Sequence, residues 1–288
     1  MEKILFKRKG KTEGMKIKVR ENVPFLVFPS FEASGLVSHG FSTRLGGVST
    51  GDCRSMNFAL GRGDSPDNIM ENYRRMARAL DVDLSRMVLS QQTHTVNLRQ
   101  VTEADAGKGV IRERDYRDID GLMTDVPGIT LGTSYADCVP LFFLDPVRQV
   151  IASSHSGWRG TVGRIGQRTV QAMEKAYGCR PEDLIAGIGP SICADCYEVG
   201  EDVAEAFAAG WEKSLPAAVL RPYPGRPGKF RLDLQKANEL ILTEAGIRPE
   251  NIAVTDICTC CNKELLFSHR GSRGRRGNMG GFLCLREH

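Results

Sequence analysis

Gly128-Ile-Thr-Leu-Gly-Thr-Ser-Tyr-Ala-Asp-Cys-Val-Pro-Leu-Phe-Phe-Leu-Asp-Pro146 and, four residues on, Val150-Ile-Ala-Ser-Ser-His-Ser-Gly-Trp-Arg-Gly160 decide how this chain folds. Residues 129–135, 139–144 and 150–154 are three β-rich runs, and Asp145-Pro146 supplies a turn between the last two. After His155 the period lengthens: Val162, Ile165, Thr169, Val170, Met173 and Tyr177 share one helical face, and Gly178 is placed to end the helix. His155 thus stands where a strand passes into a helix, and Cys138 lies in the short break between two strands. Side chains from distant sequence converge at such ends.

Working outward, Ser65-Pro66 opens a helix with a good N-cap, on which Ile69, Tyr73, Met76 and Leu80 recur at helical spacing. Residues 87–101 read as β structure interrupted near His94. Beyond the central stretch, the pattern predicts a strand at 184–188, a helix at about 199–211, a Pro/Gly-rich loop at 221–228 and a helix at about 234–245. Strands at 252–257 and 281–285 complete the chain. Strands and helices alternate without strict βαβ regularity, which predicts an α/β chain of the α+β kind with mixed sheets rather than a doubly wound parallel one. No repeat, low-complexity tract or long linker divides it, so residues 21–288 read as one domain after a basic lead-in at 1–20.

At 288 residues and 41% hydrophobic the chain can bury a large core, and its 26% charged residues mark it as soluble. The net charge of +4 comes partly from Lys3, Lys7, Arg8, Lys9, Lys11, Lys16, Lys18 and Arg20. Phe6 is the single aromatic residue among them, short of the aromatic interleaving of a nucleic-acid arm, so they read as a solvated lead-in and no nucleic-acid partner is expected. Ile4-Leu-Phe6 is too short for a secretory leader, and the longest apolar run, 139–144, fits a buried strand rather than a membrane span. Nine cysteines, an odd count with Cys260 and Cys261 adjacent, suit reduced thiols and point to the cytoplasm.

The chemistry lies in residue types that zinc prefers: His94, Cys138 and His155 are two imidazoles and one thiol from separate segments dense in Gly, Asp and Arg. Three protein ligands and one vacant position form the pattern of a catalytic zinc site. The competing reading is a pair of hydrogen-bonded structural histidines and an inert buried thiol, since no compact H-x-x-x-H signature is present. Between His155 and the helix, Gly157-Trp-Arg-Gly160 offers free amides, a helix dipole and the Arg159 guanidinium to an anion such as phosphate. Arg44, before Gly46-Gly47, can present guanidinium and backbone donors together. Asp120 and Asp137 are acid/base candidates or supports of the ligands, with turn formation and capping as the alternative.

The same residues allow other chemistry. Cys138 as nucleophile and His155 as base would make a cysteine-dependent amidase, acting on a cell-wall precursor or another amide. A multicopper centre needs many imidazoles, whereas this chain has five histidines and no H-x-H pair; a single copper in the three-ligand site stays open. A non-enzymatic nucleoside- or metal-binding protein, monomer or homodimer, is the remaining class. Cys193-Ala-Asp-Cys196 and Cys258-Thr-Cys-Cys261 invite a second, structural zinc site, but the second cluster reads C-x-C-C where a paired knuckle has C-x-x-C.

As an ordered set, His39-Gly-Phe-Ser-Thr-Arg-Leu-Gly-Gly-Val-Ser49, Ser55-Met-Asn57, Asp120-Gly121, Ala136-Asp-Cys-Val-Pro140, His155-Ser-Gly-Trp-Arg-Gly-Thr161, Ile188-Gly-Pro190 and Ser268-His-Arg270 resemble the laccase-domain, or YfiH-like, family, also called multicopper polyphenol oxidase-like. The resemblance implies a layered α/β/β/α sandwich with mixed sheets and, by motif, zinc on His94, Cys138 and His155. It implies phosphorolysis of the purine nucleosides adenosine, inosine, guanosine and methylthioadenosine, with adenosine deamination as a side activity and copper-dependent phenol oxidation as the older alternative. Cys138, His155 and Asp137 are then the catalytic candidates, and Arg44, Asn57, Arg159 and Gly160 those for substrate and phosphate. Thr93, Thr95 and Ser156 depart from the family motifs without removing a ligand, and Arg276-Gly-Asn278 stands where the family carries Thr-Gly-Arg at a position assigned to substrate.

Overall fold

The structure, a computed structural model, describes residues 4, 6–10, 14–210 and 218–287. Its first part runs β1 (Lys16–Arg20), β2 (Val23–Val27), α1 (Pro29–Ala33), β3 (Val37–Ser42), α2 (Pro66–Leu80), β4 (Met87–Leu89), β5 (Leu98–Gln100) and β6 (Gly121–Thr124). The central stretch forms β7 (Thr130–Tyr135), β8 (Val139–Asp145), β9 (Val150–Ser156), α3 (Trp158–Val162) and α4 (Ile165–Tyr177). The last part holds β10 (Ile185–Ile188), β11 (Glu198–Val199), α5 (Glu201–Gly210), β12 (Leu220–Pro222), β13 (Phe230–Leu232), α6 (Leu234–Glu244), β14 (Ile252–Val254) and β15 (Met279–Leu285).

Two six-stranded mixed sheets carry the fold, in the orders β1-β2-β3-β15-β7-β4 and β14-β10-β8-β9-β6-β5. Strand β8 shows why they stack. Its side chains alternate, and all seven of its residues are buried. Val139, Leu141 and Phe143 join Ile165, Val170 and Met173 of α4 and Ala237, Ile241 and Leu242 of α6 on one face. Phe142 and Leu144 meet Phe41, Leu131 and Leu283 of the other sheet. A third apolar cluster seats Ile69, Tyr73, Met76 and Leu80 of α2 on the outer face of the first sheet. The layers are therefore helix, sheet, sheet and helix, and each buried Leu or Phe contributes about 1.5–3 kcal/mol.

The α2 helix starts as expected, with Ser65 Oγ accepting from the Asp67 and Asn68 amides. Several local expectations need correction. The three central runs are not neighbours in one sheet: β7 pairs with β15 and β4, while β8 and β9 form a hairpin in the second sheet. The 136–138 break is a crossing between sheets. The helix after His155 is interrupted, because Arg164 takes a left-handed φ of 60° between the five-residue α3 and α4. The 221–228 loop is the turn of a hairpin, β12 with β13, in a small third sheet completed by β11; its few short strands lack the alternating apolar pattern. The helix expected at 199–211 runs over 201–210, and Trp211 lies outside the described residues. Of the basic lead-in, Lys3 and Lys11 also lie outside them, while β1 adds Lys16, Lys18 and Arg20 to a sheet edge and Arg8 pairs with Asp256 at 2.8 Å. No helix among the described residues is long and apolar enough to cross a membrane.

Candidate metal centre

The β8–β9 hairpin sets the first two donors. Its register pairs Pro140 with His155, so Cys138, directly before β8, comes beside the His155 ring at the end of β9. His94 arrives on the loop between β4 of the first sheet and β5 of the second, in a left-handed conformation with φ 65°. One nitrogen from each imidazole and the Cys138 sulfur lie within 4.8 Å of one another. Burial falls from His155 through Cys138 to the exposed His94, so the trio opens to solvent on one side. Gly157 keeps that space clear: a Cβ there would stand 2.7 Å from His94 Nδ1 and 3.2 Å from Cys138 Sγ. Any other side chain at 157 would intrude on the donors.

Asp120 organises the two histidine segments. Its carboxylate accepts from the Thr93 amide at 3.0 Å, the Thr95 amide at 2.8 Å and the Thr95 hydroxyl at 2.9 Å. It also accepts from the His94 amide at 3.2 Å, and His155 donates to it from Nδ1 at 2.8 Å. Nε2 of His155 is left for the shared centre, which is the carboxylate–imidazole support typical of metal-binding histidines. Burial opposes the Asp120 charge, but the His155 and Thr95 bonds outweigh it and hold the carboxyl below its usual range. Burial likewise works against a charged His155, and the Cys138 and Asp120 partners overcome it, raising the imidazole to about 9. His94 is shifted down, first by burial and then by its neighbour His155.

The other expected residues lie around these three donors. Asp137, at φ 86°, accepts the Thr259 hydroxyl at 2.5 Å and the Arg270 amide at 2.7 Å, so both of its oxygens brace loops beside Cys138. Arg44 donates to the Arg54 carbonyl at 2.9 Å and the Lys263 carbonyl at 2.8 Å and covers the Phe267 ring. Its guanidinium ties loops together. Asn57 is fully buried, bonded to Asp64 and Ala59 and accepting the Asn278 amide. Arg159 is exposed over the Trp158 ring and within electrostatic reach of His94. Gly160 packs tightly under His155, where a Cβ would meet its carbonyl at 3.3 Å. With only five residues in α3, the dipole expected to face an anion is small.

Sequence reasoning left Arg276 unassigned. Burial and Arg62 lower its pKa to about 10, it lies within reach of the Asp137 and Cys138 charges, and its Nε is buried without a partner. Its Nη2 approaches His269 Nδ1 at 3.3 Å. The density of Arg and Gly across 270–277 was the signal available. A cavity of about 480 Å³ adjoins the His94 loop through Gln91 and Gln92 and is lined by Tyr73, Arg114, Ser134 and Asn278. None of the three donors lines it.

The model of the multi-copper polyphenol oxidoreductase laccase family matches residues 38–286. Purine nucleoside phosphorylase YlmD of Bacillus subtilis is 36% identical over 86% of this chain and 88% of its own length. A purine nucleoside phosphorylase of Deinococcus radiodurans is 40% identical over 86% of this chain and 89% of its own. Adenosine deaminase RL5, from an unknown prokaryotic organism, is 34% identical over 80% and 87%. Among solved structures, YlmD of Geobacillus stearothermophilus superposes with a TM-score of 0.84 at 33% identity, covering 96% of this chain and all of the other.

Proposed function

The chain belongs to the multi-copper polyphenol oxidoreductase laccase family, and from that premise we propose that it is a zinc-dependent purine nucleoside phosphorylase with adenosine deamination as a second activity. Adenosine, inosine, guanosine and methylthioadenosine are the proposed substrates, with phosphate as the second. The names of the relatives support the reaction class. The observation that carries the site is the convergence of His94, Cys138 and His155 around the space that Gly157 leaves free.

Two nitrogens and one sulfur fit a three-ligand catalytic zinc site. They fit a multicopper cluster poorly: among the described residues His39 is bonded to the Phe28 amide inside the core and His269 faces Arg276. Zinc held there would supply Lewis acidity to a polar atom of the substrate or to water. The chain's own groups do the rest. Asp120 fixes both imidazole segments, and Arg159 with Arg276 holds phosphate against the nucleoside. A phosphate oxygen bonds to ribose C1′, the C1′–N9 bond breaks, and its electron pair leaves with the purine, which takes up a proton. In deamination, water oxygen bonds to C6 of adenosine and the amino group leaves as ammonia. The nine free thiols support a reducing compartment, the cytoplasm.

Release of hypoxanthine from inosine tests this reading: it should need phosphate and should stop after chelation, returning with zinc. Full activity in metal-free protein would overturn it. One observation favours a second reading, because Cys138, His155 and Asp120 also stand in the order nucleophile, base and orienting carboxylate. Inactivation by iodoacetamide without any chelator effect would select the amidase.

A further inference from the structure

The geometry points to a second metal site, a closed structural zinc centre on Cys193, Cys196, Cys258 and Cys261. The four sulfurs lie within 4.8 Å of one another. Cys196 Sγ and Cys261 Sγ are 3.5 Å apart, far beyond a disulfide bond and close to the edge of about 3.8 Å expected for sulfurs placed roughly 2.3 Å from a tetrahedral zinc.

The spacing objection disappears in the fold. Cys258 and Cys261, not Cys260, face the cluster, so each segment contributes C-x-x-C and Cys260 is the bystander within the second. Both segments turn as knuckles do. The Cys196 amide donates to the Cys193 carbonyl at 3.0 Å. The Cys261 amide donates to Cys258 Sγ at 3.5 Å, and the Cys193 amide reaches the same sulfur at 3.3 Å. Amides aimed at sulfur stabilise thiolate rather than thiol. Lys9, ion-paired with Asp195 at 2.9 Å, also lies within electrostatic reach of Cys193 and Cys261. Four protein sulfurs leave no vacant position, as structural zinc requires.

The centre would staple two loops that brace the first site. Ser191 bridges to Cys258, and the Thr259 amide donates to the Ser191 carbonyl at 3.1 Å. Thr259 then holds Asp137, next to Cys138, and the Ile192 amide donates to the Asp137 carbonyl at 3.0 Å. This zinc orders the floor under Asp137 and takes no part in the reaction.

Zinc content of the whole chain, purified under reducing conditions, tests the proposal. His94→Ala/Cys138→Ala should keep one zinc per chain, and cobalt in its place should give an intense sulfur-to-cobalt charge-transfer band. Cys196→Ser/Cys261→Ser should lose one zinc relative to wild type. A His94→Ala/Cys138→Ala protein free of metal, or a Cys196→Ser/Cys261→Ser protein with its full complement, would overturn the site. If either variant fails to accumulate, residue-level alkylation of wild type decides: Cys193, Cys196, Cys258 and Cys261 should react with iodoacetamide only after chelation, and labelling indifferent to chelator would overturn it. Because the first test removes the His94 and Cys138 donors, its outcome is independent of the proposed enzymatic activity.

Discussion

His39 and His155 are equally buried, each 4% exposed and each on a strand, yet their surroundings drive them in opposite directions. His39, on β3, accepts the Phe28 amide at Nε2 beside the Phe28 and Phe31 rings, and Lys18, Arg20, Glu32 and Arg286 are the charged groups around its pocket. Burial, then Lys18 and Arg286, push its pKa down to about 3. His155 faces a carboxylate on one nitrogen and Cys138 on the other, and is raised to about 9. Burial alone therefore does not mark a functional histidine. The partners on its two nitrogens do: one backbone donor suits a core residue, whereas a carboxylate on one side and soft donors on the other suit the proposed ligand.

This contrast can be broken most severely at the proposed ligand. His155→Ala should cut inosine phosphorolysis by more than the roughly 10–100-fold expected for an outer partner, whereas His39→Ala should cost about 1–3 kcal/mol of stability through the orphaned Phe28 amide and leave turnover in place. Steady-state kinetics beside urea unfolding read both, and equal losses of turnover would erase the distinction. Next comes Asp120→Asn, which should lower metal affinity or activity about 10–100-fold while the fold persists. Unchanged zinc affinity in titration would remove Asp120 from the centre.

Acid sharpens the comparison further. The folded His39 stays neutral where the unfolded one binds a proton, so the unfolded state carries more protons between about pH 6.5 and 3 and stability falls as pH drops through that window. The slope should approach about 1.4 kcal/mol per pH unit for this one proton. His39→Gln, which still offers an acceptor to Phe28, should flatten the urea-midpoint profile; a profile as steep as wild type would assign the acid sensitivity elsewhere. Smallest is Arg159→Ala, which should raise the KM for phosphate roughly tenfold, the worth of one charge-assisted hydrogen bond, with little change in the KM for inosine. Equal shifts in both would take phosphate away from Arg159.

Long buried strands and capped helices were legible because their periods are local: β8, β9 and α2 follow from apolar spacing, a turn at Asp145 and a cap at Ser65. Short strands such as β11 to β13 were not, since two or three residues carry no period and β11 finds its partner β13 some thirty residues on. The donor trio was legible as residue types in unusual segments. Its supports were less so. Asp120 and Asp137 look alike in sequence, and only the fold shows one carboxylate gripping both histidine segments and the other bracing loops. Arg44 and Asn57 read as ligand-facing because they sit among glycines and polar residues, and the fold shows bonds to the chain itself from Arg44 Nε and Nη1 and from the Asn57 amide. The second cysteine cluster was illegible for a simpler reason: spacing counts cysteines, while geometry decides which of two adjacent thiols, Cys261 and not Cys260, joins Cys193, Cys196 and Cys258.

The most direct test of the central claim is a crystal structure of active protein with anomalous diffraction data collected on either side of the zinc absorption edge. A zinc peak bounded by a His94 nitrogen, Cys138 Sγ and His155 Nε2, in protein that releases hypoxanthine from inosine, is the result expected. No metal at that position in fully active crystals would contradict it.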